Sequence, residues 1–246
     1  MDNRYSHILL DIEGTTCPVN YVTGTLFPYA SKALPTFLRS HGSEASVRKL
    51  VLELITAWEQ DQTPEAIQLL QQRDGSQEDA SIPYIRWLIK QDKKLTALKS
   101  LQGMIWEEGY RQKELKAPLF EEVAATIGEW SQQGVIIGSY SSGSIQAQQL
   151  LYQYSIDGDL RRLFSHWFDT SSGNKKEASS YEAISKSMRA DPSKILFVSD
   201  ARAELIAARD AGMNTCFSKR QGNPERSGDP FDTIESLSSI NLKCQP

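Results

Sequence analysis

A short apolar run, His7 to Leu10, ends on Asp11, and Glu13 follows two residues later in the segment Asp-Ile-Glu-Gly-Thr-Thr. A carboxylate at the end of a buried strand is costly unless paired, and a second one close by makes a divalent cation its natural partner. Capping of the next turn explains the same residues, and this segment alone does not choose between the two. Ser141 and Ser142 follow a second apolar run, Val135 to Ser139, at the entry to a helix-period stretch. Free backbone N–H groups and serine hydroxyls there suit a phosphate, while Ser-Ser-Gly is also ordinary capping chemistry. Lys175 and Lys176 lie in the polar loop Phe-Asp-Thr-Ser-Ser-Gly-Asn-Lys-Lys-Glu. A lysine aimed at the strand ends offsets charge on a transferring phosphoryl group, whereas most loop lysines are solvated. Asp200 ends the run Ile195 to Ser199, and Glu204 comes four residues later. Asp200 is placed to complete a metal site; Glu204 joins it or serves the dipole of the following helix.

Two textures carry these residues. From about Ser43 to Tyr110 the chain is helical in pattern, with apolar stripes at Val47, Leu50, Val51, Leu54, Ile55 and Trp58, then at Ile82, Ile85, Leu88 and Ile89, then at Leu95, Leu98, Leu101 and Ile105. Pro64 suits the first position of a further helix. Elsewhere short apolar runs alternate with helix-period stretches, the pattern of a parallel sheet covered by helices. The strands are expected at His7 to Leu10, Val135 to Ser139, Ile195 to Ser199 and Asn214 to Phe217. Helices are expected through Leu119, Phe120, Val123, Ile127 and Trp130 up to Gly134, through Ile145, Leu150, Leu151 and Tyr154, through Tyr181, Ile184 and Met188, and through Leu205, Ile206 and Ala208 up to Gly212. The fold class expected is α/β, a Rossmann-like parallel core with helices on both faces and an inserted all-helical domain. The division expected is residues 1–19 and 117–246 for the core and 20–116 for the insertion.

Composition narrows the function. The 246 residues are 39% apolar and 24% charged with a net charge of -4, so no basic excess exists to track a nucleic-acid backbone. The apolar run near the start is too short for a signal peptide core, and no segment could span a bilayer, which leads us to expect a cytoplasmic protein with no membrane partner. Cys17, Cys216 and Cys244 form no Cys-x-x-Cys pair and are expected as reduced packing thiols. His7, His41 and His166 share no common setting that would suit a metal or a base.

Four signals at strand ends, in this order, resemble the haloacid-dehalogenase-like superfamily of phosphoryl-transfer enzymes. Most of its phosphatases carry Asp-x-Asp at the first motif. Glu13 in that place, with Leu-Phe-Pro-Tyr-Ala at 26–30, resembles the enolase-phosphatase family, also called acireductone synthase. The resemblance covers nearly the whole chain: residues 94–106 are similar to the family's helical cap, 140–151 to its second motif, 168–181 to its lysine motif, 195–213 to its acidic motif, and Arg220-Gln221-Gly222-Asn223 to its Arg-x-Gly-Asn. Cys17 replaces a usual threonine, Gln221 a usual proline, and Lys176 stands beside the aligned Lys175.

The resemblance implies Asp11 as nucleophile, Glu13 as general acid and base, Ser141, Ser142 and Lys175 as phosphate ligands, and one Mg²⁺ held by Asp11, Glu13 through its backbone carbonyl, and Asp200. It implies enolisation and then dephosphorylation of a small phosphorylated diketone, and a monomer. A plain phosphatase of the same superfamily differs only in lacking the enolisation. A protein that merely binds phosphometabolites would be expected to have lost Asp11 or Asp200, and both are present.

Overall fold

The computed structural model describes residues 4–242, and it divides into two compact units, Met1–Tyr21 with Lys116–Pro246, and Val22–Leu115. In the first unit six strands form one parallel sheet: β1 His7–Leu10, β2 Ile136–Tyr140, β3 His166–Phe168, β4 Ile195–Ser199, β5 Asn214–Ser218 and β6 Thr233–Ile234. Their order is β3-β2-β1-β4-β5-β6, so β1 sits between β2 and β4 and the order reverses beside it. That reversal opens the crevice where α/β sheets bind ligands, at the carboxyl ends of the strands. Leu10 pairs with Ser139 on one side and Val198 on the other, which sets Asp11, Ser141 and Asp200 along the same edge.

Both faces of the sheet are covered, by α6 Val123–Gln132, α7 Ile145–Gln153, α8 Ala178–Met188 and α9 Arg202–Asp210. Every residue of β1 and of β4 is therefore buried, and both read as unbroken apolar runs rather than alternating ones. Leu9, Tyr140, Tyr181, Ile184, Phe197, Leu205 and Phe217 join in one core. Each such side chain contributes roughly 1.5–3 kcal/mol by leaving water.

Several sequence expectations need correction. The helix read from Leu119 begins at Val123; Leu119 and Phe120 belong to the connection before it. Ile206 is 43% exposed, and Leu205, Ala207 and Ala208 form the buried side of α9. The strands β3 and β6 were not expected: three and two residues are too few to show a period. Cys17 and Cys216 are buried free thiols, while Cys244 lies outside the described residues.

The second unit is all helix: α1 Phe27–His41, α2 Ala45–Gln60, α3 Pro64–Gln71, α4 Gln77–Lys90 and α5 Thr96–Arg111, preceded by a wide turn at Val22–Leu26. Helical structure thus begins well before Ser43. Proline hides α1 from a sequence reading, since Pro28 stands at its start and Pro35 inside it. Pro35 has no N–H to give to the Ser31 carbonyl four residues back. Arg86 of α4 replaces that bond, donating from Nε to the Ser31 oxygen at 2.9 Å. The stripe on α2 buries Val47, Val51, Leu54, Ile55 and Trp58, and Trp58 stacks on Tyr84 of α4 at 5.0 Å. No helix among the described residues is long and apolar enough to cross a membrane.

Candidate active site

Asp11 is the first residue after β1, and its backbone still holds the sheet through Asp11 N–H to the Val198 carbonyl at 3.0 Å. The residue is 6% exposed. Oδ1 accepts from the Ile12 N–H at 2.8 Å and from Lys175 Nζ at 2.7 Å. Gly14, at φ +71°, then turns the chain back so that its N–H meets the Cys17 carbonyl at 2.8 Å. A side chain there would collide with Asp200 and Asn223, so the turn requires glycine. Long-range contacts hold the turn from outside. Tyr152 of α7, fully buried, meets Thr16 Oγ1 at 2.8 Å. Arg220 Nη2 donates to the Thr15 carbonyl at 3.1 Å and to Glu122 Oε1 at 2.5 Å. Ser218 Oγ and Asn223 Nδ2 both donate to the Gly14 carbonyl, at 3.0 and 2.9 Å.

Lys175 and Lys176 part company here: Lys175 is 8% exposed and Lys176 points to solvent. Lys175 Nζ bridges Asp11 Oδ1 and Glu204 Oε2, each at 2.7 Å, and lies 5.4 Å from the centre of the Tyr140 ring. Its backbone carbonyl accepts from the Tyr181 hydroxyl at 2.8 Å, which anchors the loop to α8. Burial opposes the lysine's charge, but the Asp11 and Glu204 carboxylates outweigh it and raise its pKa above the usual lysine value.

Asp200 follows β4 as Asp11 follows β1, and it is 7% exposed. Burial first, then the charges of Asp11 and Glu204, push its carboxyl up to about 7. Glu204, in the first turn of α9, is raised to about 7 by burial and by Asp11, against the pull of Lys175 and Ser199. Ser199 Oγ stands 3.2 Å from Asp11 Oδ2 and 3.0 Å from Glu204 Oε2, and its single proton can serve one of them at a time. Sequence spacing left Glu204 open between acidic cluster and helix dipole; only the contact across Lys175 distinguishes them.

The cluster therefore holds three carboxylates against one ammonium. No three His, Cys, Asp or Glu side chains among the described residues form a metal cage by themselves. Mg²⁺ rarely asks for one: it takes one or two carboxylates and keeps several waters. Asp11 and Asp200, after neighbouring strands in a cluster where carboxylates outnumber the single ammonium, together with a carbonyl of the turn after β1, fit such an ion.

Ser141 is buried at the end of β2, its N–H donating to the Phe168 carbonyl at 3.2 Å and its Oγ accepting from the Gly143 N–H at 3.2 Å. Ser142 is exposed. Gln148, 1% exposed, ties this loop down through Nε2 to the Gly143 and Phe168 carbonyls at 3.0 and 2.7 Å. The cap of α7 is Ser144, whose Oγ accepts from the Ala147 N–H at 3.3 Å, so Ser141 and Ser142 are not its capping residues. Glu13 is half-buried in the turn after Asp11. His7 and His166 stand at the opposite, amino ends of their strands, and His41 pairs with Glu44 in the helical unit.

Residues 5–212 match the family model of haloacid dehalogenase-like hydrolases. Enolase-phosphatase E1 of Synechococcus sp. strain CC9902 is 46% identical over 239 residues, 96% of this chain and 98% of that protein. Enolase-phosphatase E1 of Aquifex aeolicus is 43% identical over 235 residues, 96% of this chain and 98% of the relative. The crystal structure of the UTR4 protein of Saccharomyces cerevisiae superposes with a TM-score of 0.74 at 31% identity, covering 96% of this chain and all of that one. That of CbbY from Rhodobacter sphaeroides, in complex with phosphate, reaches 0.58 at 18% identity over 96% of each chain and shares the fold. The chain belongs to the haloacid dehalogenase-like hydrolases and, within them, to the enolase-phosphatase E1 family.

Proposed function

We propose that the protein is a Mg²⁺-dependent enolase-phosphatase that converts 2,3-diketo-5-methylthiopentyl-1-phosphate to acireductone, 1,2-dihydroxy-3-keto-5-methylthiopentene, in methionine salvage. The reaction is enolisation followed by dephosphorylation. The observation that carries this reading is the buried cluster at the ends of β1 and β4, in which Asp11 is held at 2.7 Å by a lysine that Glu204 holds in turn. The relatives' shared name supports the choice of reaction.

In this reading the Asp11 carboxylate attacks phosphorus in line, and the ester P–O bond breaks as an aspartyl-phosphate forms. The departing oxygen takes the proton of the Glu13 carboxyl. Glu13, now a carboxylate, removes a proton from water as that oxygen attacks phosphorus; the bond to Asp11 breaks, and inorganic phosphate leaves. Ser141 and Ser142 hold phosphate oxygens, and Lys175 supplies fixed positive charge that needs no rearrangement during transfer. Mg²⁺, held by the carboxylates of Asp11 and Asp200 and the Glu13 carbonyl, would neutralise the repulsion between anionic nucleophile and anionic phosphate. Residues 20–116 are assigned as a cap domain inserted in a core of residues 1–19 and 117–246. The enzyme is assigned as a cytoplasmic monomer, which light scattering on the eluted peak tests.

The deciding experiment incubates the protein with the methylthio-diketone phosphate and Mg²⁺ and follows enol absorbance together with phosphate release. Both signals are expected, with phosphate release lost in Asp11→Asn and in metal-free protein. Phosphate release from unrelated esters without an enol signal would reduce the reading to a plain phosphatase. Undiminished release by Asp11→Asn would remove the aspartyl-phosphate.

A further inference from the structure

Asn223 closes the segment Arg220-Gln221-Gly222-Asn223, and its side chain has no part in the reaction described above. It is 2% exposed. Nδ2 donates to the Gly14 carbonyl at 2.9 Å and to the Ser218 carbonyl at 3.0 Å. Both partners only accept, so the carboxamide cannot be turned over, and Oδ1 is fixed on the other side. There it has no partner among the described residues. Buried acceptors without a partner are rare, and each costs the desolvation of the group.

The direction in which Oδ1 points is specific. It lies 2.8 Å from the place where a Cβ on Gly14 would stand, and Asp200 Oδ2 presses on the same place. Two acceptor oxygens, one belonging to a carboxylate, thus converge over the residue whose lack of a side chain leaves room for them. Oxygens so arranged call for a donor between them. A hydrated cation beside Asp200 brings one, because the waters that Mg²⁺ retains are strong hydrogen-bond donors.

We propose that Asn223 is a positioning residue of the cation site. Its Oδ1 accepts a hydrogen bond from a cation-bound water beside Asp200, while its Nδ2 fixes the turn that carries Asp11 and Glu13. The proposal rests on the cation site of the function proposed above. Outer partners of this kind typically change metal affinity by about 10–100-fold.

Ser218 provides the control, since its Oγ donates to the same Gly14 carbonyl at 3.0 Å and does not face Asp200 through an unpaired oxygen. The test is calorimetric titration of metal-free, full-length protein with Mg²⁺, comparing wild type, Asn223→Ala and Ser218→Ala, with the folded fraction of each checked by circular dichroism. The expected result is Mg²⁺ affinity at least about tenfold weaker in Asn223→Ala and far less changed in Ser218→Ala. Unchanged affinity in Asn223→Ala, or equal losses in both variants, would overturn the proposal. Should Asn223→Ala not fold, Asn223→Asp keeps an oxygen toward Asp200 while losing both donated bonds. Mg²⁺ binding that is retained, tightened or weakened no more than in Ser218→Ala, which loosens the same turn, supports the assignment, and a loss exceeding that of Ser218→Ala by about tenfold or more overturns it. Failure of the wild type to bind Mg²⁺ would remove the cation site itself, an outcome distinct from failure of Asn223 alone.

Discussion

Lys175 compensates two buried carboxylates at once, and its loss should be felt in stability as well as rate. Lys175→Met is expected to lower kcat by about 10²–10³-fold, the scale of removing one preorganised donor. It should also cost about 3 kcal/mol in urea unfolding, because two charges are left buried without their partner. Glu204→Gln tests a positioning role: it should reduce kcat while shifting the pH profile, since the glutamate holds Lys175 Nζ at 2.7 Å. Protons on the acidic cluster give a second handle. Asp200 and Glu204 titrate near 7 in the folded protein, well above the ordinary carboxylate range near 4 of an unfolded chain. Between those values the folded state holds more protons than the unfolded one, so metal-free protein loses stability as pH rises from about 4 to 7 and levels off above. Mg²⁺ held as proposed above would displace those protons. Saturating Mg²⁺ should therefore raise Tm more at about pH 8 than at about pH 5, and Asp200→Asn should flatten the difference. An equal shift at both values would argue against Asp200 as a ligand. Asp11 and Asp200 were legible in the sequence because each ends an apolar run. Glu204, Arg220 and Asn223 were not, because what they do depends on partners far away in the chain.

Helix α1 shows how an element can be present without a legible signal. Pro35 interrupts its hydrogen-bond ladder, and the missing bond is replaced from a different helix by Arg86. Arg86→Met should cost about 0.5 kcal/mol, at the low end for a hydrogen bond because the guanidinium is exposed. In a Pro35→Ala background, where the backbone can supply the bond itself, the cost should vanish. A double-mutant cycle in chemical denaturation reads the difference, and additive effects would sink the idea. The turn after β1 has the opposite character, being rigid for reasons visible in its glycine. Gly14→Ala would need both a left-handed backbone and space that Asp200 and Asn223 already fill. A loss of about 2–4 kcal/mol is expected, together with weakened Mg²⁺ binding. The strands β1 and β4 could be read from sequence because both faces are buried, whereas β3 and β6 are specified by pairing with β2 and β5 rather than by their own residues.

At the scale of the molecule, two textures in the sequence correspond to two compact units because periodicity reports burial, and each unit buries apolar residues of its own. The chain path adds something that periodicity cannot report. The strand β1 precedes Val22–Leu115, yet both of its partners, β2 and β4, lie beyond the whole of that unit. During synthesis it gains its first partner only when β2 has emerged and its second only when β4 has. The helices of Val22–Leu115 depend on contacts close in sequence and can assemble meanwhile. Pulse-labelled hydrogen exchange during refolding should find amides of α2, α4 and α5 protected before those of His7–Leu10, and simultaneous protection would contradict this order. Asp11 thus precedes the whole of Val22–Leu115 in the chain, yet it is among the last residues to reach its place in the sheet. A chain truncated before β4 would keep β2 on one side of β1 and leave the other edge unpaired, and that edge would make the fragment prone to aggregate.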